Sequence, residues 1–373
     1  MTRPLATRLT FLAVGIGFAA WAALVPFVRQ RAGLDDAALG VLLLGLGAGS
    51  IAAMPLAGAL AARNGCRTVI LAGLLMAIAV LPGLATLPTL GWLWPALLLF
   101  GAGFGAVDVA MNMQAIIVER ESGRSMMSGF HGLFSLGGIV GAAAMALMLG
   151  QGMSPLGASL AVAAVLLVLL AAAIPGLLPY GSPRSGPAFA WPTGMVLVLG
   201  LMCFVAFLAE GAVFDWGAVF LITQRDVPAV YGSLGYAAFS VTMTIGRLTG
   251  DRVVARLGGA RVVAVSGVLA AAGFLVVTLL PGWVPSLLGY ALVGAGCANI
   301  VPVLFTAVGR QRVMPESQAL PAVTTLGYAG ILAGPAGIGF AAQAVGLAGA
   351  FLGVATLLLA VAAGSRLLRA GRA

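Results

Sequence analysis

The chain has no lysine: its nineteen basic residues are all arginine, set against ten acidic residues and one histidine. A phosphate-cradling loop ending in Gly-Lys-Ser/Thr is therefore absent, and with it an ATP motor of that type. The lone histidine, His131, leaves a Ser-His-acid hydrolase one candidate base and no nucleophile motif. Three cysteines, Cys66, Cys203 and Cys297, lie far apart in the chain and make neither a disulfide framework nor metal-ligand spacing. Charged residues total 8%, far too few to clothe a water-soluble globule. The arginines are scattered over turns rather than gathered with aromatics, which argues against nucleic-acid binding. Enzyme, metal and cofactor chemistry thus find no motif here.

What is present is hydrophobicity, 61% of 373 residues, arranged in long blocks. Each block is long enough to cross a hydrocarbon core of about 30 Å as a helix. Twelve are expected, near Thr10–Val28, Ala38–Ala61, Thr68–Leu84, Trp92–Val118, Ser125–Leu149, Leu156–Leu177, Thr193–Ile222, Ala229–Arg247, Arg261–Leu280, Val284–Val308, Gln318–Ala342 and Leu347–Leu368. The fold class is an all-α polytopic membrane protein, with the lipid bilayer as its solvent. The 54 glycines would loosen a soluble fold, but in lipid small residues let helices approach closely. With the N-terminus inside, only Arg29, Arg31 and Arg225 fall outside, a strong positive-inside bias that places both termini in the cytoplasm. Met1-Thr2-Arg3-Pro4 leads into a full-length span without a convincing cleavage site, so the first helix is expected to be retained.

One stretch, PYGSPRSGPAFAWP at residues 179–192, is rich in Pro, Gly and Ser. It divides the chain into six spans and six, at residues 1–178 and 193–373. The halves echo each other. Gly58 to Arg67 follows the second span and Gly246 to Arg261 follows the eighth, while Gly132-Leu-Phe-Ser-Leu-Gly137 matches Gly327-Tyr-Ala-Gly-Ile-Leu in place. Two pseudo-symmetric six-helix bundles around a central cavity suit a carrier that works by alternating access.

This plan, with its long middle loop and its Gly/Asp/Arg segments after the second and eighth spans, resembles the major facilitator superfamily over nearly the whole chain. That family's first loop carries a Gly, an Asp-Arg pair, a second Gly and further basic residues. Gly58, Arg63, Gly65 and Arg67 match it, while Ala62 stands at the Asp position. In the second half Gly246, Arg247, Asp251 and Arg252 carry the likeness. The resemblance implies cytoplasmic latch loops, with the first latch weakened and Asp251 carrying the greater share. Gly105-Ala-Val-Asp108-Val-Ala-Met-Asn112-Met-Gln114 and Ser128-Gly-Phe-His131-Gly-Leu-Phe-Ser135-Leu-Gly137-Gly138 narrow it to bacterial inner-membrane carriers near the fucose permeases.

Polar residues inside the spans are the candidate working groups. An ionised carboxylate such as Asp108 is costly in a membrane unless it faces a cavity or a partner. Asn112 follows one turn on, on the same face. His131 and Ser135 start the fifth span, and the imidazole is a natural proton carrier. Glu210 lies about 25 Å along the seventh span at a rise of about 1.5 Å per residue. Asp215 is nearer the outside, a candidate for an outer gate or a pair with Arg225. The two are too differently placed to act as paired hydrolytic acids. Asp108, His131 and Glu210 are thus the expected proton carriers. Asn112, Ser135, Phe214, Trp216, Tyr236, Tyr290, Asn299 and Tyr328 are the expected cavity residues. Trp21, Trp92, Trp94, Trp191 and Trp283 fit interfacial belts, and Pro55, Pro302 and Pro335 are expected to kink their helices.

The expectation is a proton-driven secondary transporter that takes up a small polar solute such as a sugar or related metabolite, working as a monomer. Proton-coupled efflux of drugs or metabolites is the alternative, and a non-transporting receptor or scaffold the third.

Overall fold

The computed structural model describes residues 1–183, 190–228 and 231–370, with the side chains of residues 36, 37, 369 and 370 left aside. Arg184, Arg372, the side chain of Arg369, the expected start of the eighth span at Ala229 and residues 184–189 of the middle loop lie outside the described residues. Every regular element among those described is helical. In chain order they are α1 (Arg3–Ala32), α2 (Asp36–Asn64), α3 (Cys66–Leu84), α4 (Leu90–Ser122), α5 (Met127–Gly150), α6 (Pro155–Ala173), α7 (Gly194–Gln224), α8 (Leu234–Leu257), α9 (Gly259–Leu279), α10 (Trp283–Cys297), α11 (Ile300–Val308), α12 (Glu316–Gly364) and α13 (Leu367–Ala370).

Ten helical segments among the described residues are long and apolar enough to cross a membrane. The difference from twelve has two causes. α12 covers both of the last expected spans, turning at Gly346, where φ is 75° and ψ 161°. α8 carries Arg247, Asp251, Arg252 and Arg256, and is not among the ten. The tenth expected span is itself broken. Pro302 has no N–H to offer the carbonyl of Ala298, so α10 stops and α11 starts afresh after Asn299 at φ −112°, ψ 0°.

Most of the residues read as latch loops lie within helices instead. Gly58 and Arg63 belong to α2, Arg67 to α3, and Gly246, Arg247, Asp251 and Arg252 to α8. Only Gly65 separates α2 from α3, and only Gly258 separates α8 from α9. Each has positive φ, which a glycine adopts without a Cβ penalty, so the chain reverses in one residue and needs no loop. Charged residues at a helix end do not stop the helix, which is why α8 outruns its expected end at Arg247 by ten residues.

The residues group into two compact units, one of Met1–Ser122, Leu133–Trp191 and Pro315–Ala322, the other of Gly123–Gly132, Pro192–Met314 and Val323–Ala373. Each is built on the same close approaches. In the first, Gly73 and Gly103 bring α3 against α4, and Ser50 Oγ donates to the Gly101 carbonyl at 2.9 Å. In the second, Gly273 and Gly289 bring α9 against α10, and Thr242 Oγ1 donates to the Ala291 carbonyl at 2.8 Å. With almost no hydrophobic force between helices in lipid, such backbone contacts and interhelical hydrogen bonds are what hold each unit. Trp92, Trp191 and Trp283 are well exposed, as belt residues should be, but Trp21 is buried against Phe100 at 6.4 Å.

Candidate functional site

In the first unit the polar centre is on α4. Asp108 is half-buried, and Asn112 one turn on is fully buried. Asn112 Nδ2 donates to the Asp108 backbone carbonyl at 2.8 Å and to Asp108 Oδ1 at 3.3 Å. Asn112 Oδ1 is buried with no hydrogen-bond partner, an acceptor that a membrane interior does not leave idle without cost. Ser135 lies half-buried on α5 in this same unit. Gln114, at the end of the same α4 motif, donates from Nε2 to Thr7 Oγ1 at 2.9 Å and accepts the Leu178 N–H at 3.0 Å. It ties α1, α4 and the segment after α6 together and so steadies the helix that carries Asp108.

The second unit holds the other charged candidates. Glu210 on α7 meets Arg247 on α8, Nη2 to Oε1 at 3.3 Å, with side-chain exposures of 7% for the arginine and 17% for the glutamate. The sequence alone does not pair them, because the charged run that starts at Arg247 reads as the end of a span. α8 runs on past Arg247 to Leu257 and ends at Gly258. His131, at the start of α5, contacts the Met127 carbonyl through Nδ1 at 3.0 Å. Its ring stands edge-on to Phe305 of α11 with centroids 5.8 Å apart, and it lies within the field of the Arg247 charge. Asn299 donates from Nδ2 to the Gly246 carbonyl at 3.1 Å, packing where Gly250 leaves room, and its Oδ1 is buried without a partner. Asp251 accepts the Gly129 N–H at 3.0 Å, one of the amides that the first turn of α5 cannot satisfy itself.

The aromatic candidates separate. Phe214 and Tyr236 stand edge-to-face at 5.1 Å and are exposed, whereas Tyr290 is fully buried and donates its hydroxyl to the Gly217 carbonyl at 3.2 Å. Tyr328 meets Phe207 at 6.1 Å, and Trp216 lies beside Gly339 with its indole nitrogen buried and unpartnered. Asp215 is half-buried. The suggested Asp215–Arg225 pair does not form: Arg225 donates instead to the carbonyls of Val277, Thr278 and Leu280 and to Ser286 Oγ.

Comparison with known proteins agrees with this architecture. The sequence model of the Major Facilitator Superfamily matches residues 2–142. An uncharacterised MFS-type transporter of Yersinia pestis is 50% identical over 92% of this chain and 89% of its own length. The membrane protein MosC of Rhizobium meliloti is 33% identical over 90% of this chain and 82% of its own. The crystal structure of the Escherichia coli fucose:proton symporter superposes with a TM-score of 0.80 at 16% identity, covering 98% of both chains.

Proposed function

The chain belongs to the major facilitator superfamily, a family of membrane transporters, and from that premise we propose that it is a proton-coupled uptake carrier for a small polar solute. Its setting is a bacterial inner membrane, in keeping with its bacterial relatives. The arginine distribution supports cytoplasmic termini, with residues 1–178 and 193–373 as the two six-helix bundles and the monomer as the working form.

One observation carries the coupling: a largely buried acid and arginine paired between α7 and α8, Glu210 with Arg247 at 3.3 Å. An intramembrane pair is expensive to keep, and its acid can take a proton only when the arginine is released. Loading Glu210 therefore changes what holds α7 to α8, which is what links a proton to a conformational exchange. Asp108, with Asn112 against it, supplies a second acid in the other unit, and His131 stands within reach of the Arg247 charge. The fold shared with a fucose:proton symporter supports a sugar-like cargo.

The test is the internal pH of sealed, oriented proteoliposomes challenged with a panel of sugars and related metabolites. A solute-dependent proton influx that Glu210→Gln or Asp108→Asn abolishes is the expected result. Solute uptake that runs unchanged in both variants, with no proton movement, would remove the coupling from this reading.

A further inference from the structure

We infer that Asp215 binds a protonated amine of the cargo, with the backbone carbonyl of Ile331 as the second acceptor, so that the solute is an amine-bearing polar molecule of the amino-sugar kind. The inference rests on the proton-coupled uptake just proposed and gives its cargo a charge.

Asp215 is half-buried on α7 and, among the described residues, accepts no hydrogen bond and makes no ion pair. Arg225, the cation nearest to it in sequence, is bonded to the carbonyls at the end of α9. Glu210, the other acid of α7, is engaged with Arg247. A carboxylate inside a membrane-spanning helix is costly when it faces lipid. Asp215 therefore marks a face of α7 that water and solute reach.

A second, independent acceptor lies beside it. Pro335, inside α12, has no N–H, so the Ile331 carbonyl four residues earlier lacks its ordinary helical donor. Gly211 brings the two oxygens to one gap. The nearest atoms to a Cβ at Gly211 would be Asp215 Oδ2, Ile331 Cα and the Ile331 carbonyl oxygen, each 3.9 Å away. A carboxylate and a backbone carbonyl thus border the space that the glycine leaves. An ammonium group brings three N–H donors and a positive charge, and answers both. A hydroxyl brings one donor and leaves the negative charge uncompensated.

The surroundings favour an organic cation. Gly211, Phe214 and Asp215 share one face of α7, being three and four residues apart. Phe214 is 63% exposed and stands edge-to-face with Tyr236 of α8 at 5.1 Å. Ile331 is 38% exposed, so the gap opens to the surface of the second unit, to which all these residues belong. Aromatic rings attract an ammonium through their negative faces. A metal cation calls instead for a fuller shell of oxygen ligands, which aromatic carbon does not supply. With the termini in the cytoplasm, Asp215 lies toward the outer end of α7, where a solute entering from outside arrives first.

The experiment uses proteoliposomes, protein-free vesicles as the baseline, and radiolabelled probes in pairs: glucosamine, galactosamine and glucamine, with glucose, galactose and glucitol as counterparts in which a hydroxyl replaces the amine. The expected result is uptake of an amine, driven by an inward proton gradient, about 30-fold or more above its hydroxyl counterpart. Asp215→Asn, which keeps the shape and loses the charge, should bring the two level. Two further variants leave the charge in place. Gly211→Ala fills the gap without a contact closer than 3.9 Å, and Pro335→Ala returns an N–H to the Ile331 carbonyl. Each should raise the KM for the amine, roughly tenfold for Gly211→Ala. Proton-linked uptake of the hydroxyl counterparts at the level of the amines, or amine uptake untouched by Asp215→Asn, would overturn the inference and leave proton coupling standing. Uptake of the counterparts that needs sodium and is lost in Asp215→Asn would give the site to an alkali ion and overturn it likewise. No uptake of any probe would also overturn it, whereas the proton-coupled reading falls only if the wider panel of sugars and metabolites moves no protons either.

Discussion

Arg31 and Arg225 hold equivalent stations in the two halves. Arg31 ends α1 and donates to the carbonyls of Leu84, Ala85 and Leu87 at the end of α3. Arg225 follows α7 and donates to the carbonyls of Val277, Thr278 and Leu280 at the end of α9. A helix C-terminus presents unsatisfied carbonyls and partial negative charge, and one guanidinium answers both. Replacement of either by alanine should cost roughly 2–3 kcal/mol, since bonds to charged donors are worth more than neutral ones. Arg225→Ala should cost the more, because its guanidinium also lies 4.9 Å from the Phe220 ring centre. Thermal unfolding in detergent reads the order. Lysine at either site that matched the wild type would show that the fork of bonds is not what matters.

Gly65 and Gly258 form a second matched pair, with φ 87°, ψ 153° and φ 78°, ψ 146°. That region of backbone space is nearly closed to other residues and costs about 1–3 kcal/mol to enter with a side chain. At Gly258 a Cβ would meet nothing within 4 Å, so Gly258→Ala should cost that strain alone. At Gly65 a Cβ would collide with the backbone of Pro179 and Tyr180, so Gly65→Ala should cost more and lift the segment after α6. Reactivity of Cys66, buried next to that segment and bonded through its N–H to the Tyr180 carbonyl, is the readout. Faster maleimide labelling in Gly65→Ala than in Gly258→Ala is expected; equal rates would contradict the asymmetry.

These pairs also show what could be read before the structure. Apolar run length placed the expected spans on or beside observed helices, because in lipid a helix must satisfy its backbone internally wherever the sequence is apolar. It failed where charge and helix coincide. Arg247, Asp251, Arg252 and Arg256 looked like the end of a span, yet all four lie within α8. Gly346 joins two spans with a single non-helical residue, too little to register as a loop. The residues of the candidate site were identified by type, but their partners were not. Glu210 and Arg247 are far apart in sequence and meet only through the packing of α7 and α8, while Asp108 and Asn112, one helical turn apart, could be paired directly.

Asp251 accepts the Gly129 N–H at 3.0 Å, acting across the chain as an N-terminal cap for α5. In the first half Ala62 stands at the corresponding position, beside Arg63 as Asp251 is beside Arg252, and its side chain offers no acceptor. The acid is thus needed in one half alone. Asp251→Ala should cost about 1–2 kcal/mol, the usual worth of a capping acceptor. Asp251→Asn keeps an acceptor oxygen and should recover at least half of the loss. Amide exchange at the start of α5, faster in the alanine variant only, separates a cap from a general loss of packing.

Glu316 opens α12 and is reached by two groups from the first half of the sequence: Arg120 Nη1 at 3.1 Å and the Ser182 hydroxyl. Arg120 is 55% exposed and Glu316 only 11%. An exposed partner contributes little through water, about 0–1 kcal/mol, so Arg120→Ala should be nearly silent. Glu316→Ala strands the Ser182 hydroxyl and should cost more, about 1–3 kcal/mol. If the two alanine variants melted alike, the arginine and not the serine would be the partner that counts.

Tyr180, beyond α6, donates its hydroxyl to Glu121 Oε1 at 2.9 Å, and Arg3 bonds the other oxygen of the same carboxylate at 2.6 Å. Burial and then the bond to Glu121 hold the phenol above its ordinary range. A raised phenol favours the neutral form, so its contribution to stability is complete below the unfolded value of about 10 and fades as pH climbs through the folded one. Tyr180→Phe removes the titrating group together with its hydrogen bond. The difference in melting temperature between wild type and Tyr180→Phe should therefore stay constant from pH 7 to about pH 10 and shrink above it. A difference that instead widened with alkali would mean that the folded protein stabilises the phenolate, and that the hydroxyl does not serve Glu121 as a donor.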